Sequence, residues 1–386
     1  MERMLSTEEA ARRLGVKVPT LYAYVSRGLL ASHRDPARRG SLFDLDDIEA
    51  LAARSRGGRQ TATRLATITT GVTQLDQELG PIYRGRLATE LAATASFEEV
   101  AELLWQGGDG AGGDWSAPAL GAVPPSLAQT LDRMRWALVM CGATDPLRSD
   151  RRPEAVARAA RRAVAALTDA VGAPSRPDPV GAPVAARLAG RLAGTGAEVP
   201  TAAVNASLVL LADHELATST VAVRVAASVR SDPYDAFLAG VATLAGPLHG
   251  GASQQAYELL ALAERDGAPR ALDDVLRERG YVPGFGHSVY KSGDPRFGAL
   301  LALAEPLLSE ERRAILHEVM ALAVAHDVPL ANCDLALAAM SWGTGMPPDT
   351  GRTLFAVARV AGWAAHYMEE LTEPALRFRA RAVYSV

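Results

Sequence analysis

Along most of this chain, alanine, leucine, glutamate and arginine recur at three- and four-residue spacings, as in RRAVAALTDAV from Arg161 and RAILHEVMALAVAH from Arg313. That period gathers apolar side chains on one helical face, and these residue types lose little freedom in a helix. Aromatic residues make up only 5% of the chain and Val/Ile/Thr alternation is rare, so strands have little to build on. The main body is therefore expected to be all-α. At 386 residues with 48% apolar content the chain can bury a full core. A prior of about 150 residues per domain suggests two or three units.

Glycine- and proline-rich stretches interrupt the helical pattern. GGDGAGGDWSAPALGAVPP from Gly107 and GAPSRPDPVGAP from Gly172 read as loops and carry no evident chemistry. RSRGGRQ, Arg54 to Gln60, combines charge with paired glycines between two periodic regions, which marks 54–60 as a linker between a module of residues 1–53 and the body, 61–386. MERMLSTEEAARRLGV has no apolar run between its charges, and no later stretch holds eighteen uncharged apolar residues, so neither export nor membrane spanning is expected. Cys141 and Cys333 are the only cysteines, without the paired spacing of a metal site or disulfide framework. The expectation is a cytoplasmic protein with no metal and no cofactor.

The net charge of −4 hides an asymmetry. Residues 1–60 hold eleven of the 40 basic and eight of the 44 acidic residues, leaving a front of +3 and a remainder of −7. That favours an anionic partner for the front segment, although such a balance is also common on solvated surfaces. Lys17 and Lys291 are the only lysines, so arginine abundance carries no weight outside a motif.

Ser6-Thr7-Glu8-Glu9 has capping-box spacing and opens a helix with Ala10 and Leu14 on one face. Gly15 ends it, Pro19 suits the first turn of a second helix with Leu21 and Val25 on its apolar stripe, and Gly28 stops that. Two short helices joined by a tight turn make a helix-turn-helix. Thr20, Tyr24 and Arg27 fall off the apolar stripe, and Arg34, Arg38 and Arg39 follow in a turn-like stretch before Asp44-Leu45-Asp46-Asp47 begins a third helix. STEEAARRLGVKVPTLYAYVSRGLL with RRGSLFDLDDIEAL resembles the winged helix-turn-helix of the MerR and excisionase group. The resemblance implies DNA binding, with the second helix in the major groove and the wing on the backbone, through Thr20, Tyr24, Arg27, Arg34, Arg38 and Arg39. The alternative is a packing or dimerisation module with no nucleic acid.

In the body, Gly246-Pro247-Leu248-His249-Gly250-Gly251-Ala252 places His249 in a glycine turn just ahead of the helical pattern ASQQAYELLALA. A helix N-terminus disfavours imidazolium, leaving a neutral ring able to donate to a carbonyl oxygen. A histidine beside glycines is also an ordinary turn residue, but a second loop weighs against that. Gly284-Phe285-Gly286-His287-Ser288-Val289-Tyr290-Lys291 is followed by Asp294-Pro295-Arg296, and a histidine near a guanidinium fork suits a substrate with a carbonyl and a carboxylate. Asn332-Cys333-Asp334 sets a carboxylate among Ala and Leu, where it needs a partner or a raised pKa. A core aspartate paired to arginine is the structural alternative. Together these groups suit enolisation beside a carbonyl.

GPLHGGA, GFGHSVYKSGDPR, ANCDLALAAMSWGTGMP and LFAVARVAGWAAHYMEE resemble, in order and spacing, the successive signature segments of citrate synthases. The stretches GVTQLDQELGPIYRGRLATELAATASFEEVAELLW and ADHELATSTVAVRVAAS extend the likeness over nearly everything after the linker. The resemblance implies large and small helical domains, the small one inserted at roughly 255–350, in a homodimer. It implies condensation of acetyl-CoA, a substrate rather than a cofactor, with oxaloacetate. His249, His287 and Asp334 match the family's catalytic triad; His214, Arg296, Arg359 and Arg379 match its oxaloacetate ligands, the last reaching into the partner subunit. Gly284, Phe285 and Gly286 fall in its CoA contact region.

Three positions depart from the family pattern. Leu335 stands where an aromatic is usual, Ala217 where an asparagine is common, and Ala380 breaks an arginine-proline-arginine run. Discriminating one methylene is worth only about 1 to 3 kcal/mol, so acetyl- and propionyl-CoA, citrate and 2-methylcitrate, all stay open. A transcription regulator that senses acyl-CoA or oxaloacetate through a synthase-like fold is the reading from another class. A lyase cleaving citryl-CoA would use the same residues in reverse.

Overall fold

The structure is a computed structural model, describing residues 4–14, 16, 18–26, 30–34, 41–45, 47–48, 68–106, 113–175, 177–179, 181–193 and 199–379. The chain divides into two compact units, Met1–Thr69 and Thr70–Val386. The expected linker, 54–60, and Arg27, Arg38 and Arg39 lie outside the described residues. No helix among the described residues is long and apolar enough to cross a membrane.

In the first unit, helices Thr7–Leu14 and Val18–Ser26 pack against a small antiparallel sheet. Strand Ser41–Asp44 is central, pairing Met4 with Asp44 on one side and His33 with Leu42 on the other. Strands His33–Arg34 and Ser41–Asp44 pair where the wing is expected, with Arg34 opposite Ser41. The capping box forms as its spacing requires: Ser6 Oγ accepts from Glu9 N at 3.4 Å while Glu9 Oε2 accepts from Ser6 N at 2.9 Å. Ala10, Ala11, Leu21, Leu30, Phe43 and Ile48 form the core. Thr20 is exposed, whereas Tyr24 is half-buried and packs on that core. The exposed tyrosine of this helix is Tyr22.

In the second unit the helix Thr350–Leu371 is buried almost all round, as the uninterrupted run LFAVARVAGWAAHY requires. Helices Phe97–Trp105, Pro153–Ala170, Thr201–Leu211, Thr218–Ser228 and Pro233–Leu244 surround it. Helices Ala252–Asp266, Ala268–Arg279, Pro295–Ala304, Glu310–Ala325 and Cys333–Thr344 pack chiefly on one another. The helical expectation for the body needs one local amendment. Thr73–Asp76, Gly80–Tyr83 and Arg86–Leu87 form a three-stranded antiparallel sheet. Its first turn is held by Asp76 Oδ1, which accepts from Glu78 N and Leu79 N, both at 2.9 Å. Its second is the two-residue Arg84-Gly85 loop with both φ positive. Its middle strand ends in Tyr83, fully buried, whose hydroxyl bonds the carbonyls of Val209 (3.1 Å) and Asp213 (3.1 Å). A hairpin thus pins the chain immediately before His214.

Candidate active site

His214, His249, His287, Arg296, Asp334 and Arg359 all line one cleft of about 520 Å³, together with Gly284, Phe285 and Gly286. Arg379 is exposed near the end of the described chain and does not line it.

The turn carrying His249 doubles back on the preceding helix, with Gly250 N bonded to Leu244 O at 2.9 Å. A Cβ on Gly250 would stand 2.5 Å from that oxygen, so no other residue fits there without moving backbone. His249 Nε2 lies 2.8 Å from Ser219 Oγ. Burial, then the Arg359 guanidinium, pull its pKa down to about 4. Both causes favour the neutral ring.

His287 is oriented by its own loop. Its Nδ1 accepts from Val289 N (3.0 Å) and Tyr290 N (3.2 Å), which puts the ring proton on Nε2. That Nε2 stands 3.4 Å from Arg296 Nη2. Both are donors, so this contact is not a bond between them; it is a pair of N–H groups spaced to share one acceptor oxygen. The ring stacks on Tyr290 with centroids 4.7 Å apart, and burial, then Arg296, pull its pKa to about 4. His214 meets His287 edge-on at 5.2 Å and bonds the Tyr290 hydroxyl through Nε2 at 3.1 Å. Burial holds its pKa well below that of a free imidazole.

Asp334 is the second residue of helix Cys333–Thr344, whose N-cap Asn332 accepts from Asp334 N at 2.9 Å. Its Oδ1 is buried without a hydrogen-bond partner among the described residues. Burial, only partly offset by Arg296, pushes its pKa up to about 7. A partly exposed carboxylate whose Oδ1 is buried and unpaired among the described residues is a poised base rather than half of an ion pair. Arg296 is paired instead with Asp294, whose Oδ1 accepts from Arg296 Nε (3.0 Å) and whose Oδ2 accepts from Arg296 Nη2 (2.9 Å) and Cys333 N (3.0 Å). One buried aspartate thus ties the guanidinium to the helix bearing Asp334. Arg359 donates Nε to Leu211 O at 2.9 Å, while its Nη1 is buried and without a hydrogen-bond partner among the described residues.

Ser219, Tyr290 and Asp294 support the site without having been singled out by sequence. Asp294-Pro295 carried a signal, being an N-cap followed by proline at the first helical position. Ser219 carried none, because its partner His249 lies 30 residues on.

The family model of the citrate synthase C-terminal domain matches residues 117–381, and a helix-turn-helix domain model matches residues 4–56. The citrate synthase of Dictyostelium discoideum is 34% identical over 197 residues, covering 48% of this chain and 38% of that protein. That of Mycolicibacterium smegmatis is 30% identical over 338 residues, 80% of this chain and 90% of that protein. A 2-methylcitrate synthase of Mycobacterium tuberculosis is 31% identical over 327 residues, 76% and 82% respectively. The citrate synthase of Thermoplasma acidophilum, solved as a ternary complex with carboxymethyl coenzyme A and oxaloacetate, shares the fold with a TM-score of 0.69 at 24% identity, covering 86% of this chain and 96% of that one. The chain belongs to the citrate synthase family, with a helix-turn-helix domain at its N-terminal end.

Proposed function

We propose that the protein condenses a short acyl-CoA with oxaloacetate and water, releasing CoA and citrate or its 2-methyl homologue. The observation that carries this reading is the unpartnered, buried Asp334 Oδ1 in one cleft with neutral histidines and two guanidiniums. Asp334 takes a proton from the carbon next to the thioester. A carboxylate alone is far too weak a base for that, so the thioester oxygen needs a donor as charge develops. With Ser219 donating to Nε2, His249 keeps its proton on Nδ1 and donates there. His287 Nε2–H and Arg296 hold the ketone oxygen; the enol carbon bonds the ketone carbon, that oxygen takes the proton of His287, and the proton gathered by Asp334 is passed back to His287 as the cycle closes. Water then adds to the thioester, the C–S bond breaks, and CoA leaves as the thiol. His214 and Arg359 hold the rest of the dianion, and Gly284, Phe285 and Gly286 face the CoA.

We read the active form as a homodimer in which Arg379 completes the partner's site. Exposed apolar Val225, Val229 and Leu376 gather around Ser228, where Leu376 N bonds the carbonyl of Ser228, and they offer a face for a second copy. The two free, buried cysteines suit the cytoplasm. Thiol release with oxaloacetate and acetyl-, propionyl- or butyryl-CoA tests the activity: release with at least one is expected, and none with all three rejects it.

The helix-turn-helix favours a second role, binding DNA through the helix that exposes Thr20 and through the wing. Mobility shifts against upstream DNA should show modest retardation at low salt, because few cations are available, and it should weaken as salt rises, because phosphate contacts release counterions. A change in retardation on adding oxaloacetate would mark a sensor. Free DNA at every salt concentration would reject this role.

A further inference from the structure

A chain of buried charges runs away from the cleft through the second unit. Asp213, Arg224, His366 and Glu370 are each fully buried. Arg224 donates Nη1 to His366 Nδ1 at 3.1 Å and Nε to Glu370 Oε2 at 2.8 Å. Since His366 accepts at Nδ1, its proton sits on Nε2, where it donates to Asp213 Oδ2 at 3.3 Å. Asp213 is the residue before His214, and its backbone is already clamped by Tyr83. At the other end, Arg377 grips both oxygens of Glu370, at 2.6 and 2.5 Å. Arg230 adds a bond from Nη2 to Glu373 O at 2.7 Å, and Leu376 N bonds Ser228 O at 3.0 Å. Arg379 follows Arg377 by two residues.

Burying this much charge is poor value as a source of stability, because apolar side chains of like volume hold helices together as well or better. What a hydrogen-bonded ionic chain adds is geometry: each link has one acceptor direction and one length. Its two ends are the residue before His214 and the segment bearing Arg379.

We propose that Asp213, His366, Arg224, Glu370 and Arg377 form a positioning network that sets both ends of the dicarboxylate site from one rigid frame. It holds the His214 turn of its own subunit and fixes the exit of the segment that presents Arg379 to the partner. This rests on the reading of His214 and Arg379 as oxaloacetate ligands.

Arg377→Ala and Arg377→Lys in the full-length protein test it. Arg377 is part-exposed at the surface, with 24% of its side chain accessible, and Glu370 keeps its bond from Arg224 when Arg377 is lost. In Arg377→Ala the KM for oxaloacetate is expected to rise about tenfold or more, with kcat within about twofold and the acyl-CoA KM unchanged, the pattern of lost binding rather than lost chemistry. Arg377→Lys, which keeps the charge without the fork, should recover part of that loss. An unchanged oxaloacetate KM overturns the proposal, as does a joint fall in kcat, both KM-derived affinities and Tm, which marks mere structural support. Oxaloacetate titration calorimetry on the same variants separates this from the catalytic reading. Wild type that binds and turns over while Arg377→Ala binds equally well removes the network alone; wild type that binds without turnover while Arg377→Ala binds more weakly removes the catalytic reading alone; wild type that neither binds nor turns over removes both.

Discussion

Asp334→Asn is expected to lower kcat by about 10³-fold while leaving oxaloacetate binding intact, the loss typical of a removed general base in a site whose other groups stay in place. Asparagine keeps the shape, and the bond from residue 334 N to Asn332 is unaffected because it is a backbone bond. The pH profile carries a second signature. The base must be ionised, and burial pushes the Asp334 pKa up to about 7, so kcat/KM of the wild type should climb with pH through that value. Stability runs the opposite way. A carboxyl whose folded pKa lies above its unfolded one binds more protons in the native state, so stability falls as pH rises from about 4 to about 7. Asp334→Asn removes that penalty: it should stabilise the fold relative to wild type at pH 8 and not at pH 4, by at most about 4 kcal/mol less what the buried amide costs, read as a higher Tm at pH 8 alone. Activity within tenfold of wild type would remove Asp334 from the chemistry.

That aspartate was legible because its signal is local: a carboxylate set among alanines and leucines, where it needs a partner or a raised pKa. The same holds for the histidine loops, where glycines mark tight turns, and for the Ser6–Glu9 capping box. What sequence did not disclose are pairings made by the fold. Tyr83 reaches Asp213 across 130 positions and His366 reaches Asp213 across 153, so neither leaves a spacing to read. The Thr73–Leu87 sheet was missed because its strands are two to four residues long, below the length at which alternation stands out from helical periodicity. Tyr24 illustrates the limit on surfaces. Off the Leu21–Val25 stripe by helical spacing, it still packs on the small core, because the adjoining sheet widens the covered face beyond one stripe. The low pKa of His249 was expected from a helix terminus; burial and Arg359 bring it about, and only the folded site puts that arginine nearby.

Gly362→Ala should be among the most damaging single-methyl changes in the protein, although by propensity it ought to help. In a helix interior, alanine is favoured over glycine by up to about 1 kcal/mol. Gly362 lies inside helix Thr350–Leu371, but its N–H also serves the chain outside, donating to Ala212 O at 3.0 Å. A Cβ there would stand 2.1 Å from Asp213 Oδ1 and 2.7 Å from Ala212 O. The carboxylate is held by His366 and by Glu215 N, and the carbonyl is backbone, so neither end can swing aside cheaply. Relieving the overlap requires the helix and the 212–214 turn to part, and overpacking of this kind costs about 1–3 kcal/mol or more. The steric term therefore outweighs the propensity gain. Since Arg359 lies on the same helix and His214 on the displaced turn, the oxaloacetate KM should rise together with a drop in Tm, at most about 2–4 °C per kcal/mol, the range for domains somewhat smaller than this unit. A thermal melt and the oxaloacetate KM of Gly362→Ala measure both. An equal or higher Tm would mean that helix propensity governs this position and that the close approach of the helix to Asp213 does not constrain the site.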